Sequence, residues 1–315
     1  MSVDANFEEP LVELRRQIQE LENYPARPGV EKDIDRLRSR LRKETEEVYK
    51  GLSRWQKTLV ARHSDRPYTL DYVELLMEDW VEIHGDRSFG DDPALVCGFA
   101  TFRGISVAVV GHQKGRDTRQ RIRRNFGQPR PEGYRKALRL MHLAERFSLP
   151  ILSFVDTPGA YPGIGAEERG QAEAIARNLE EMATLRVPIV VTVTGEGGSG
   201  GALAVAIGDR VLMLQYGIYS VISPEGCAAI LWKDQERKAD AAEAMKIAAP
   251  DLRELGVIDE IVEEPLGGAH TDPPEMARRV GDAVERSLRH LLKKPVEQLL
   301  EDRYQRFRRL GVYEG

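Results

Sequence analysis

Cysteine is almost missing from this chain. Only Cys97 and Cys227 occur in 315 residues, far apart in sequence. Neither a disulfide framework nor a four-cysteine zinc site can be built from two, and a reducing cytoplasm is the expected compartment. No uninterrupted apolar stretch approaches the roughly 20 residues needed to cross a bilayer. The N-terminus, MSVDANFEEP, is acidic and has no apolar signal core, which argues against secretion. Positive charge is not in excess either. The formal net charge is −5, so the chain as a whole gives no electrostatic reason to bind nucleic acid. No Walker A sequence occurs, and Gly163-Ile164-Gly165 lacks the third glycine of a dinucleotide fingerprint. The six histidines, His63, His84, His112, His142, His270 and His290, show no metal-ligand spacing. No metal site is expected.

What remains is a globular composition, 41% hydrophobic and 31% charged, with length enough for a large core and about two domains at most. Residues 1–62 read as a helical extension. Leu11, Leu14, Ile18 and Leu21 form one apolar stripe and Ile34, Leu37, Leu41 and Val48 another, separated by Pro25, Pro28 and Gly29. These thin stripes need another surface to pack on. Residues 63–293 read as the main domain and 294–315 as a C-terminal helix and tail.

Within the main domain, Leu95 to Phe102 and Ile105 to Val110 read as strands joined at Arg103-Gly104. A helix with Ala137, Leu140, Met141, Ala144 and Phe147 on one face precedes a buried strand, Ile151 to Val155. A second helix over Ala172 to Ala183 precedes the strand Ile189 to Val193. Further strands are expected at Val211–Leu214, Tyr219–Ile222 and Val257–Val262, with helices between and after them. Strand, loop and helix recur about every 40 residues, which predicts α/β layering with mostly parallel strands buried on both faces.

Chemistry concentrates in two glycine-rich runs. Asp156-Thr157-Pro158-Gly159-Ala160-Tyr161-Pro162-Gly163-Ile164-Gly165 follows one strand. Gly195-Glu196-Gly197-Gly198-Ser199-Gly200-Gly201 follows the next and leads into a helix expected over Ala202–Ile207. Five glycines in seven residues let a ligand approach the main chain. The first turn of a helix offers N–H groups without an intrahelical partner, equipment for an oxygen that turns negative during a reaction. A tight packing turn between strand and helix is the competing reading, and this stretch alone does not choose. Two such runs at the C-terminal ends of neighbouring strands would line a groove where parallel sheets hold ligands.

Other readings have weaker support. Gly197-Gly198-Ser199-Gly200-Gly201 fits G-x-S-x-G, so a serine hydrolase using Ser199 is the alternative, with His270 or His290 as distant candidate bases. Hydratase chemistry would want paired carboxylates, and only Glu196 lies in the run, with Glu167 and Glu168 further off. The segment from Lys114 to Arg124 carries six cationic side chains against Asp117 alone. It reads as a solvated loop or as a site for phosphates. Only Phe126 is nearby to stack on bases, which disfavours nucleic acid.

Several stretches together resemble the alpha subunit of the carboxyltransferase component of bacterial-type acetyl-CoA carboxylase. They are RPYTLDY (66–72), GHQKGRDT (111–118), RRNFG (123–127), PEGYRKALRLM (131–141), DTPGAYPGIGAEERGQ (156–171), GEGGSGGAL (195–203), YSVISPEGCA (219–228) and EPLGGAH (264–270). The resemblance implies a crotonase-like (ClpP/crotonase) α/β spiral of ββα units. It implies transfer of a carboxyl group from carboxybiotin on a carrier protein to acetyl-CoA, giving malonyl-CoA for fatty-acid synthesis. The N–H groups of Gly200 and Gly201 would hold the ureido oxygen of biotin. Gly159, Tyr161, Gly163, Gly165, Gly198 and Ser199 would shape the biotin side. The implied partners are a zinc-bearing beta subunit in an α2β2 heterotetramer, the biotin carboxyl carrier protein and biotin carboxylase, all in the cytoplasm. Within that fold a ClpP-type protease remains the form the serine alternative would take.

Overall fold

A computed structural model describes residues 7–23 and 29–311. Three helices come first: α1 (Glu9–Glu22), α2 (Val30–Lys50) and α3 (Arg54–Ala61). Helix α1 buries Leu11, Leu14 and Ile18 of the expected stripe, and Leu11 packs in a cluster with Tyr49, Leu52, Val60 and Tyr216. The stripe of α2 is only half-buried. The expected break at Pro25 and Pro28 lies outside the described residues.

Next come α4 (Thr69–Leu76), β1 (Met77–Glu82), β2 (Leu95–Phe102) and β3 (Ile105–His112). The β2–β3 hairpin turns on two residues, Arg103 (φ 47) and Gly104 (φ 79), both left-handed, as a two-residue turn with the sheet's twist requires. Strand β1 pairs antiparallel with β2 at the sheet edge. Its sequence, MEDWVE, carries three acids, so apolar periodicity gave no sign of it, and that charge suits an edge.

The remainder alternates: α5 (Thr118–Arg123), α6 (Pro131–Arg146), β4 (Ile151–Thr157), α7 (Ile164–Glu168), α8 (Gln171–Thr184), β5 (Ile189–Gly198), α9 (Ser199–Leu203), β6 (Arg210–Leu214), β7 (Ile218–Ser220), α10 (Pro224–Trp232), α11 (Lys238–Met245), α12 (Ala249–Glu254), β8 (Glu260–Val262), α13 (Pro273–Leu291) and α14 (Val296–Arg308). The sheet order is β1-β2-β3-β4-β5-β6-β8, with β7 beside the end of β5. From β3 onward every pairing is parallel. Helices cover both faces. Tyr134, Leu140 and Met141 of α6 meet Val155, Val191 and Val193 on one side. Met276, Val280, Val284 and Leu288 of α13 meet Phe102, Leu152, Val190 and Leu212 on the other. The strands are apolar on both faces for that reason.

Two boundaries at the glycine-rich run differ from expectation. Strand β5 continues through Gly198, because the backbone of Glu196–Gly198 pairs with Ile218–Ser220 of β7. A ladder made by glycine backbone leaves no trace in hydrophobic periodicity. The helix expected over Ala202–Ile207 is instead the single turn Ser199–Leu203.

Candidate active site

The ends of β4 and β5 lie side by side. Their register slips between Val155 and Thr157, so Thr157 faces Gly197 and Asp156 sits at the irregularity. The buried Asp156 accepts through Oδ1 from the amide of Glu196 at 2.9 Å and from Nζ of Lys114 at 2.6 Å. Thr157 Oγ1 accepts from the amide of Gly159 at 3.0 Å and donates to its carbonyl at 2.8 Å, closing a tight turn.

The glycines of the two runs are not equivalent. A Cβ on Gly198 would strike the carbonyl of Pro158, and one on Gly201 would strike the backbone of Gly159 and Ala160. A Cβ on Gly195 would meet the carboxylate of Asp156, and one on Gly163 the ring of Tyr161. Gly159 has φ 150. Packing or conformation therefore explains these residues. Gly200 differs: its φ is not left-handed, and a Cβ there would make ordinary contacts of 3.6 and 3.7 Å with Ile175 alone. Nothing in the fold requires glycine at 200.

These contacts also correct the groove expected between the two runs. Their backbones touch at Gly198–Pro158 and Gly201–Gly159, which closes that space. A largely apolar cavity of about 300 Å³ opens instead on the other side of α9, lined by Ser199, Leu203, Tyr219, Val221 and Phe307. Burial pushes the Tyr219 hydroxyl up to about 12, so it stays protonated there. Ser199, Gly200 and Gly201 form the first turn of α9, so their N–H groups have no acceptor within the helix.

Charged side chains brace the turn from below. Arg62, at the end of α3, donates to Glu196 Oε1 through Nη2 at 2.6 Å and to Glu225 Oε1 through Nη1 at 2.6 Å. That pairing ties the glycine run to the start of α10. Burial would raise the Glu225 carboxyl, but the Arg62 hydrogen bond and charge win and lower it. Arg66 and Glu264 form a bidentate pair at 2.7 and 2.8 Å, buried to 1% and 0% exposure of their side chains. Arg66 Nη2 also donates to the carbonyl of Thr194 at 2.9 Å. Of these five ions, sequence reading weighed only Glu196, as a lone carboxylate for hydratase chemistry. Their one signal was position, since Arg66, Glu196, Glu225 and Glu264 all fall within the stretches that carry the resemblance.

Other candidates find structural partners. Tyr161 lies under the guanidinium of Arg130 at 4.6 Å, and its amide donates to the Pro129 carbonyl at 3.0 Å. Gly165 sits at the start of α7 beside Arg169. His112 is fully buried and neither ring nitrogen makes a hydrogen bond. Burial lowers it to about 4 against the opposing charge of Asp156, and the nearby backbones of Phe154 and Gly201 offset little of that. It is a neutral ring packed beneath the turn.

Ser199 has φ 52, a left-handed conformation uncommon for a side-chain-bearing residue. A nucleophile elbow is strained in a similar place. Triad geometry is missing from the described residues, however: His270 stacks on His63 at 3.8 Å, and His290 lies on α13 and lines a cavity whose lining does not include Ser199. Glu196 is committed to Arg62, and among the described residues it pairs with no second free carboxylate. In the basic segment, Lys114 is held by Asp156 and Arg116 by Asp71 at 2.6 Å, while Arg124 donates to the Pro93 carbonyl at 2.7 Å. No group of three or more His, Cys, Asp or Glu that could hold a metal ion occurs among the described residues. No helix there is long and apolar enough to cross a membrane.

Comparisons with known proteins bear on this geometry. A family model described as acetyl co-enzyme A carboxylase carboxyltransferase-like matches residues 4–311. The chain is 62% identical over 309 residues to the acetyl-coenzyme A carboxylase carboxyl transferase subunit alpha of Geobacter metallireducens, covering 98% of this chain and 97% of that one. It is 58% identical over 316 residues to the same subunit of Syntrophotalea carbinolica, covering 100% of both. Among solved structures, a transcarboxylase 12S with methylmalonyl-coenzyme A and methylmalonic acid bound superposes with TM-score 0.57 at 20% identity. That match spans 70% of this chain and 42% of the other. A Pseudomonas malonate decarboxylase hetero-tetramer in complex with coenzyme A gives TM-score 0.57 at 21% identity, over 70% of this chain and 91% of that one.

Proposed function

Because this chain belongs to the family of acetyl-coenzyme A carboxylase carboxyl transferase alpha subunits, with a crotonase-like α/β fold, we propose that its own contribution to carboxyl transfer is the main chain of Ser199–Gly201. The family's reaction is biotin-dependent and uses acetyl-CoA. Bound carboxybiotin would supply the carboxyl group and a ureido oxygen that gathers negative charge as that group departs.

Residues of this chain fit such a ligand. Two glycine amides at N2 and N3 of a helical turn can donate to one oxygen without any side chain between. The observation that carries the reading is the freedom at Gly200: no contact and no backbone angle demands glycine there, so an unfilled approach to the main chain is the remaining reason for it. Gly198 and Gly201 let the β4 and β5 ends close together and so hold that turn still. Arg62 and Arg66 fix its base through Glu196 and the Thr194 carbonyl. Ser199, Leu203 and Tyr219 border the apolar cavity beside it, suited to a ring system of low polarity. Gly159, Tyr161, Gly163 and Gly165 shape the neighbouring loop. No side chain is needed as a base, since bound biotin would itself supply the proton acceptor at the nitrogen that the carboxyl group leaves, and the charge that develops would rest on a carbonyl oxygen.

In this reading the chain is half of an active site. A zinc-bearing beta subunit completes it in an α2β2 assembly, with the biotin carboxyl carrier protein and biotin carboxylase delivering the carboxyl group in the cytoplasm. The test is Gly200→Val in the assembled enzyme. It should lower transfer by about 10²-fold or more, the scale of losing one oxyanion donor, with the thermal midpoint kept. Gly200→Ala should fold normally and keep more activity. Transfer by the valine variant at wild-type rate, or transfer by the isolated alpha chain, would overturn the proposal.

A further inference from the structure

The N-terminal helices, which the carboxyl-transfer reading leaves without a role, border a cavity of about 510 Å³. Its wall is cationic. Arg15 enters from α1 and Arg38 and Arg42 from α2, spaced four residues apart on one helix face, with His270 and Thr271 behind them. Leu41 and Leu266 supply an apolar floor.

Like charges at that spacing repel, so their convergence needs a reason. Arg38 and Arg42 each reach one acid, Glu22 at 2.7 Å and Glu46 at 3.1 Å. Each of those bonds uses one of five N–H donors on a guanidinium and leaves the rest open. Arg15 is half-buried and makes no hydrogen bond or ion pair with any described residue. His270 responds to the same field: burial, His63, Arg66 and Arg15 together lower it to about 3, and its Nδ1 is buried without a partner. Gly267 (φ 86) and Gly268 (φ 100) keep the adjoining loop free of side chains.

We propose that this cavity, between α1, α2 and the 266–271 loop, binds a small soluble phosphate compound, with its phosphate oxygens between Arg15, Arg38 and Arg42. Forked guanidinium donors match phosphate better than they match a single carboxylate oxygen. The ligand would tie the N-terminal helices to the loop that carries Glu264, whose Oε2 accepts the Ala269 amide at 2.6 Å. The inference stands independently of the carboxyl-transfer reading.

The experiment titrates the full chain with sodium pyrophosphate by calorimetry, at low and at physiological salt. Saturable one-to-one binding is expected, weaker at the higher salt and weaker by about tenfold or more in Arg15→Gln. Arg15→Lys should fall between. No saturable binding at millimolar ligand, or equal binding by Arg15→Gln, overturns the proposal. Should Arg15→Gln fail to fold, proton NMR of wild-type His270 decides. Its pKa should move upward with pyrophosphate, and an unmoved pKa overturns the site.

Discussion

At the scale of single residues, adjacent glycines do different work. Gly201 is fixed by packing, because a methyl there would enter the backbone of Gly159 and Ala160. Neither of those can retreat without opening the β4–β5 pairing that holds both runs. Gly201→Ala should therefore destabilise the chain by about 1–3 kcal/mol, the range for forcing extra volume into a filled site. Gly200→Ala, facing only the flexible end of Ile175, should change stability far less. Urea midpoints of the two variants measure the contrast. Equal losses would mean that the two positions are packed alike, and would remove the argument that space is kept at Gly200 for a ligand.

At the scale of elements, the Arg66–Glu264 pair joins segments remote in sequence: the approach to α4, the end of β5 through Thr194, and the loop after β8. Glu264 accepts from Arg66 and from the amides of Tyr216 and Ala269, so its charge is fully bonded. Glu264→Ala would strand the buried guanidinium and should cost about 3–5 kcal/mol. The double variant Arg66→Met/Glu264→Leu should be less harmful than that single change, since no unpaired charge remains. Denaturant unfolding of both decides it, and a double variant worse than the single would contradict the electrostatic account.

This pair also shows what the sequence disclosed. Long apolar strands and amphipathic helices were legible: β2 through β6, α6 and α8 lie within a few residues of their expected places, because one periodicity dictates each. Strand β1 was not, since an edge strand with three acids lacks the apolar pattern. The β5 extension through Gly198 was not, since a glycine ladder has no side-chain period. The two glycine-rich runs were recognised, and so was their place at neighbouring strand ends. That their backbones touch, closing the groove between them, depends on a register slip at Asp156 that no local sequence rule specifies. Partners such as Arg62 with Glu196, 134 positions apart, are tertiary facts.

At the scale of the whole molecule, the core holds a histidine in its neutral form, and that makes folding sensitive to mild acid. His112 is lowered from 6.5 to about 4 by burial, so the unfolded chain binds its proton first as pH falls. The folded state is then penalised by up to about 1.4 kcal/mol per pH unit between about 6.5 and 4. His270, lowered to about 3, acts in the same direction. Carboxylates lose their contribution lower down. Burial opposes charge at Asp86, yet the amides of Ser88 and Phe89 hold its carboxyl near 2. Its stabilisation is present above 3.8 and disappears as pH falls through about 2. Two windows should therefore separate in a profile of urea midpoint against pH, a histidine decline from 6.5 downward and a carboxylate decline below about 4. His112→Leu should make the first shallower, with only the His270 share remaining, and leave the second unchanged. A wild-type profile level from pH 7 to 5 would mean that His112 is charged in the folded protein, and the uncharged ring beneath the glycine turn would have to be replaced by a cation facing Asp156.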